Sequence, residues 1–569
     1  MKKRWLTLLS LILVVGTILA GCGGSNGASN NENKNKGTGS EKPANSSTTG
    51  EEKLAADQTL RINLASEPPT LDPALSKDNI SSTVLRTLFE GLTIKDEKGE
   101  DAPGVAESWQ VLDNGKKYVF KIRQNAKWSN GDPVTAKDFE FAWKRVLDPK
   151  MQPAPDYTYQ LYYLKNAEAY NTGKATADQV GVKATDDYTL TVELENPTPY
   201  WLGLTSFSTY YPVHQASVSN PKWANDASTL VSNGPFKLEN WTTGSEVVVV
   251  KNDLYWDNKN ITLSRITMSI NDQAAAEIAS YKSGQLDIAG RPIGEMPTDQ
   301  IPALKQELPD EFQINPVAST YFYEFNNKAE PFDNLKIRKA FTMAINRQEL
   351  VDKVTLASQK PAFGFVSEGI KGVEKDYREE HPDNVYGKED IEEAKKLLKE
   401  GMAEKGYTKL PPIELLYNTN DNHKKVALAI ADMWKKNLGA EVTLRNEEFQ
   451  VYLQSRKQLN YQVARAGWVA DYDDPMTFID QWTSTSGNND SGWSNPEYDK
   501  LVKDAYATGD NKQRNEYMAK AEDILLKDNQ VIMPLYYYTD PRLVKPYVKG
   551  LLADYSGALD FTRIKLLEH

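Results

Sequence analysis

One cysteine, Cys22, stands in a chain of 569 residues. A single thiol permits neither an intramolecular disulfide nor a thiolate metal cluster, so the fold has no covalent or thiolate-metal staple to rely on. A hydrophobic fraction of 40% can supply a large core instead. The length calls for several domains or one multi-lobed unit.

The place of that cysteine is informative. Lys2, Lys3 and Arg4 precede an apolar run from Trp5 to Ala20, followed by Gly21 and Cys22. This is the pattern of an export signal over residues 1–21. The alternative, an anchor that stays uncut, is disfavoured because the run is short for a membrane span of ~20 residues. Leu19-Ala20-Gly21-Cys22 resembles the bacterial lipobox, in which the thiol is acylated and becomes the mature N-terminus. The resemblance implies lipidation of Cys22 and tethering to the outer face of the cytoplasmic membrane, as at a Gram-positive-type cell surface. A diacylglycerol there supplies the paired acyl chains that stable anchoring needs.

Residues 22–56 are dominated by Gly, Ser, Asn, Lys, Glu and Thr, a composition that cannot build a core and reads as a disordered tether. An arm of ~35 such residues reaches roughly 30 to 35 Å root-mean-square.

From Gln58 the texture changes to short β-rich runs alternating with amphipathic helices, with no 20-residue apolar stretch. The expected fold class is α/β. Strands are expected at 59–64, 118–122, 188–194, 246–251 and 441–444. Ile391, Ala394, Leu398 and Met402 recur at helical spacing. A second helix is expected from about Lys424 to Asn437, ending before Gly439 as a C′ glycine. Helix followed by strand in this half argues for a mixed or parallel sheet.

The formal charge of −12 offers no phosphate-neutralising surface, which argues against a nucleic-acid partner. Enzyme motifs are equally scarce. The histidines at 214, 381, 423 and 569 form no HExxH, and there is neither a P-loop nor a GxSxG elbow. Asp471, Asp473 and Asp474 are close enough in sequence for acid/base work, although such a cluster is more often a turn or a ligand-binding corner.

The informative excess is aromatic, with 29 tyrosines and 12 tryptophans. Arg465-Ala466-Gly467-Trp468 precedes Asp471-Tyr472, and Tyr536-Tyr537-Tyr538 lies near Arg542. Aromatic walls with isolated charges describe a site for an amphipathic ligand. A peptide is a zwitterion and needs a carboxylate for its ammonium, a cation for its carboxylate and strand-like backbone partners between them. Asp471, Arg465 and His423 supply those types. The expected helix start beside His423 would reinforce anion binding. Two other readings stay open: His423 as a surface residue of a first turn, and Arg465 with Asp471 as a structural ion pair.

The body from Thr59 to His569 resembles the oligopeptide-binding proteins of ABC importers, in the peptide/nickel class of extracytoplasmic solute-binding proteins. The resemblance is carried by GVAESW (104–109), AKWSNGDPVTAKDF (126–139), SNGPFKLENW (232–241), YEFNN (323–327), LLYNTNDNHKK (415–425), ARAGWVADYDDP (464–475) and YYYTDPRLVKP (536–546). It implies two lobes closing about a hinge, the class II arrangement of periplasmic-binding-protein-like folds, with an additional α/β domain. Lobe one would comprise 57–89, 215–350 and 539–569, the extra domain 90–214, and lobe two 351–538.

By the same resemblance, Asp471 meets the peptide α-ammonium, and Gly467 and Val469 offer backbone groups. Trp468 walls a side-chain pocket. Arg465 and His423 meet the terminal carboxylate, and Arg456, Phe449 and Tyr538 line the cleft. The chain departs from better-studied relatives at Lys77, where an acidic residue is usual, at Asn79, at Phe449 in place of tryptophan, and at Val469 in place of cysteine. The implied partners are short peptides, a permease and its ATPase subunits; a monomer is expected, and no cofactor is implied. A pheromone receptor on the same cleft, a nickel- or haem-binding relative and a peptidase are the alternatives.

Overall fold

The computed structural model describes residues 53–382 and 385–569. The expected signal segment, Cys22 and most of the expected tether lie outside the described residues. Leu54 and Ala55, which composition assigned to the tether, instead bridge to Leu567 and Leu566 near the C-terminus. No helix among the described residues is long and apolar enough to cross a membrane.

The first strand, β1 (Thr59–Leu64), leads to α1 (Asn79–Leu88). The Asp78 carboxylate caps α1 by accepting from the Ser81 amide at 2.8 Å, and Ile80, Val84, Leu85 and Leu88 bury one helical face. A four-stranded antiparallel sheet follows, formed by β2 (Ala106–Leu112), β3 (Lys117–Ile122), β4 (Val182–Asp186) and β5 (Thr189–Glu193) in the order β2-β3-β5-β4. Trp201 packs 4.7 Å from Tyr118 across this domain, and Trp143 donates its indole N–H to the Tyr210 carbonyl at 2.8 Å.

The chain then returns to β1. Strands β6 (Phe236–Thr242), β7 (Glu246–Lys251) and β8 (Arg265–Ile270) complete the order β1-β8-β7-β6, with β1 parallel to β8. Four consecutive valines in β7 suit a strand covered on both faces.

The third sheet has the order β9-β14-β10-β13-β11-β12, built from β9 (Ile288–Gly290), β10 (Phe312–Phe325), β11 (Ile413–Asn418), β12 (Val442–Glu447), β13 (Val463–Val469) and β14 (Ile532–Val544). As the helix–strand alternation predicted, β11 runs parallel to both β12 and β13. The helices Asp421–Leu438 (α2) and Phe449–Lys457 (α3) connect these strands. Gly439 ends α2 in the left-handed conformation at φ 70°.

Strands β10 and β14 are long enough to join two cores. One end meets the apolar cluster of Ile278, Tyr281, Met296 and Leu304; the other meets Phe341, Leu415, Ile430 and Trp434. A register shift between Pro316 and Thr320 separates the two halves. Val317, Tyr321, Phe325, Ile337 and Leu350 share the second core with Leu415 and Trp434, so a division at 350 falls inside that core.

Candidate functional site

The odd-numbered residues of β13 present their backbone away from β10. The Ala470 amide donates to Ala318 and the Trp468 carbonyl accepts from Ser319 at 2.8 Å, whereas the Arg465 carbonyl accepts from the Tyr452 hydroxyl on the opposite side. Strand alternation therefore turns the N–H and C=O groups of Gly467 and Val469 toward that same far edge. There β11 pairs only with Val463 and Ala464, so the edge from Arg465 onward is left for another strand.

That edge borders a cavity of about 200 Å³. All nine residues expected at the site line it: Phe449 and Arg456 from α3; Arg465, Gly467, Trp468 and Val469 from β13; Asp471 just beyond it; His423 from α2; and Tyr538 from β14. The sequence motif on β13 is thus brought together with residues more than 40 positions away on either side.

Asp471 lies at one end, half-buried. It accepts from the Tyr157 hydroxyl at 3.1 Å and from the Gln160 amide at 2.9 Å, and it forms no ion pair among the described residues. Burial, with the nearby negative charge of Asp480, pushes its carboxyl well above the ordinary carboxylate range. Toward the other end, Arg465 donates to the Tyr538 hydroxyl at 2.6 Å and to Asn418 at 3.3 Å, and sits 4.9 Å over the Tyr321 ring. Among the described residues its buried Nε–H has no partner, and it too has no ion pair. Burial acts against its charge, but the surrounding hydroxyls of Tyr538 and Tyr321 sustain it.

Three expectations change. Helix α2 begins at Asp421, three residues earlier than read from the sequence, because Asn420 caps it and accepts from the amides of Asn422 and His423. His423 is consequently a buried residue of the first turn, and its own amide is already bonded. Burial, then the cations Arg465 and Arg291, holds its imidazole well below the usual histidine range, so at neutral pH it is an uncharged donor rather than a second cation.

Arg465 and Asp471 do not pair with each other. The three aspartates also part company: Asp473 pairs with Lys371 at 3.1 Å, and Asp474 is chelated by Arg514. Arg456 lines the cavity with its charge already committed to Glu324 at 2.7 Å and Asp490 at 3.5 Å.

Several neighbours escaped the sequence reading. Tyr157 and Gln160 come from the domain containing β2–β5, and Arg291 and Glu295 from the loop after β9. The carboxamide of Asn422 donates to Glu295 at 3.2 Å and to the Met296 carbonyl at 2.9 Å. Lys77 pairs with Asp156 at 2.8 Å, and Lys457 bonds the same carboxylate. The Asn422 and Lys457 contacts join α2 and α3 to segments far earlier in the chain. A larger opening of about 1190 Å³ lies beyond Asp471, and it shares only that residue with the nine.

The family model for the bacterial extracellular solute-binding proteins, family 5, matches residues 102–490. The chain belongs to that family. It is 41% identical over 567 residues to the oligopeptide-binding protein OppA of Bacillus subtilis, covering 99% of both chains. The structure of Haemophilus influenzae OppA in complex with RPPGFSPFR is 37% identical, covers 91% of this chain and 100% of its own, and superposes with a TM-score of 0.83. The murein tripeptide-binding protein MppA of Escherichia coli superposes at 0.84 with 35% identity, covering 91% of this chain and all of its own. The unliganded open form of MppA reaches only 0.60 at the same identity, over 91% and 99%. The lobes of this family 5 chain are therefore arranged unlike that open form, in keeping with the contacts that bridge its cavity.

Proposed function

We propose that this protein is a non-catalytic receptor that encloses a short peptide between its lobes and presents it to the permease and ATPase subunits of an ABC importer. One observation carries the reading. Asp471 and Arg465, opposite in sign and each without an ion-pair partner among the described residues, flank a strand edge whose backbone groups face a cavity. A zwitterionic chain lying along β13 satisfies all three: ammonium on Asp471, main chain on Gly467 and Val469, carboxylate on Arg465 with neutral His423 as an added donor. Trp468, Phe449 and Tyr538 wall the side chains, and Arg456 fixes the cavity's shape through Glu324 rather than holding the ligand. B. subtilis OppA and the peptide complex of H. influenzae OppA support this reading.

Lobe one comprises 57–89, 215–316 and 539–569, the extra domain 90–214, and lobe two 317–538. The bulge between Pro316 and Thr320 serves as part of the hinge, and the peptide selects the closed form because only there do both lobes touch it. A lipid anchor at Cys22 keeps this monomeric body at the outer face of the membrane.

The test is mass spectrometry of the ligand released by denaturing the purified protein and of defined peptides after prolonged incubation. Intact short peptides are expected in both. A non-peptide ligand, or cleavage products, would overturn the proposal.

A further inference from the structure

Gln160 lies on the domain carrying β2–β5, 311 positions from Asp471, yet its carboxamide meets the Asp471 carboxylate at 2.9 Å. The residue is 1% exposed. Its own carbonyl is bonded by the Tyr210 hydroxyl at 2.6 Å, which ties its short helical turn, Thr158–Leu161, to the core of that domain. Among the described residues the Gln160 side-chain oxygen has no partner, and the amide is held by one side-chain bond, the one to Asp471. A buried amide with an unbonded oxygen carries a desolvation cost, and what offsets it here is the one side-chain bond to Asp471.

Asp471 is otherwise poorly supported as a charge. Facing it are Tyr157, Tyr159 and Gln160 from the extra domain, Asp480 from the turn after it, Arg86 at the end of α1, and Tyr555 near the C-terminus. Among the described residues Arg86 has no hydrogen-bond or ion-pair partner. Gln160 and Tyr157 supply the direct side-chain donors.

We propose that Gln160 is a positioning residue for amino-terminal recognition: it crosses the cleft on closure, fixes the Asp471 carboxylate toward the cavity and holds it in the anionic form that an ammonium requires. Closing the cleft thus completes the ammonium site, and an open receptor has Asp471 without this donor. The inference rests on Asp471 being the ammonium site, and the experiment separates the two.

Titration calorimetry compares a free tetrapeptide, its N-acetyl form and its C-terminal amide on the full-length protein, the Gln160→Met and Gln160→Glu variants, and Asp471→Asn. In the unaltered protein each blocked peptide is expected to bind more weakly, by about tenfold or more. With Gln160→Met the acetylation penalty shrinks to about threefold or less, the amidation penalty read by Arg465 persists, and affinity for the free peptide is lost at a higher pH than in the unaltered protein. Gln160→Glu keeps the shape of the side chain and replaces its donor with an acceptor at high pH; its affinity for the free peptide recovers as pH falls and a proton is shared with Asp471.

An unchanged acetylation penalty in Gln160→Met, or equal loss for free and acetylated peptides in both variants, overturns the role of Gln160. Unchanged affinity in Asp471→Asn overturns the ammonium site itself.

Discussion

Arg465 and Asp471, on one strand and the turn that follows it, form no ion pair with each other or with any other described residue; each faces the same cavity through neutral partners. Burying two charges apart costs several kcal/mol each, in order of magnitude, unless something compensates them. The tyrosines around Arg465 and the donors on Asp471 offset part of that cost. On the proposed reading a zwitterion offsets the rest, and the site would then recognise the two ends of a chain more than its middle.

Replacing Asp471 by Ala is expected to weaken binding of a free peptide by about 2 to 5 kcal/mol, the usual cost of leaving a buried charge unpaired. The loss should be absent for a peptide that is already N-acetylated. Equilibrium titration measures both.

The two cavity arginines should separate cleanly. Arg465→Met is expected to cost about 2 to 5 kcal/mol in affinity while leaving unfolding little changed. Arg456→Met strands Glu324 and Asp490 and is expected to lower stability by about 3 to 5 kcal/mol. Denaturant unfolding alongside titration distinguishes them.

Proton exchange reports which group meets the carboxylate. Burial in this cleft raises the Asp471 pKa, and an ammonium favours its charged form, so seating a peptide there lowers that pKa. Between the ordinary carboxylate range and the raised value, binding therefore releases a proton, and affinity falls as pH drops through the window. His423 has a depressed pKa and contributes no proton there while Arg465 carries the carboxylate. Calorimetry in buffers of different ionisation heat should show net release; net uptake would mean that His423 becomes charged on binding.

Closure itself can be impaired at a distance from the ligand. A Cβ on Gly487 would lie 2.6 Å from the Asp156 Cα and closer still to its carbonyl oxygen, where the extra domain meets lobe two. Gly487→Ala is expected to raise the energy of the closed form by about 1 to 3 kcal/mol and weaken all peptides alike, free or blocked. Titration across the peptide set checks this.

Much of the site was legible because it is local. Arg465, Gly467, Trp468 and Val469 alternate along one strand, and Asp471 follows directly, so motif and geometry coincide. The strands at 59–64 and 246–251 were legible for the same reason: β-branched runs bounded by turns. The start of α2 was misplaced because Asn420 is a better cap than position alone revealed, which moved the helix start and buried the His423 ring. Gln160 and Tyr157 left no local signal. Their meaning depends on a contact across more than 300 positions, and only the assembled domains supply it. The three aspartates looked like one group in sequence, but their partners Gln160, Lys371 and Arg514 come from different parts of the fold.

The most direct test is a crystal structure of the protein with a defined tetrapeptide. The account predicts an extended chain hydrogen-bonded to Gly467 and Val469, its ammonium on Asp471 and its carboxylate at Arg465, with Gln160 still bonded to Asp471. A peptide bound in the opposite direction, or a ligand seated away from β13 in the larger opening, would contradict it.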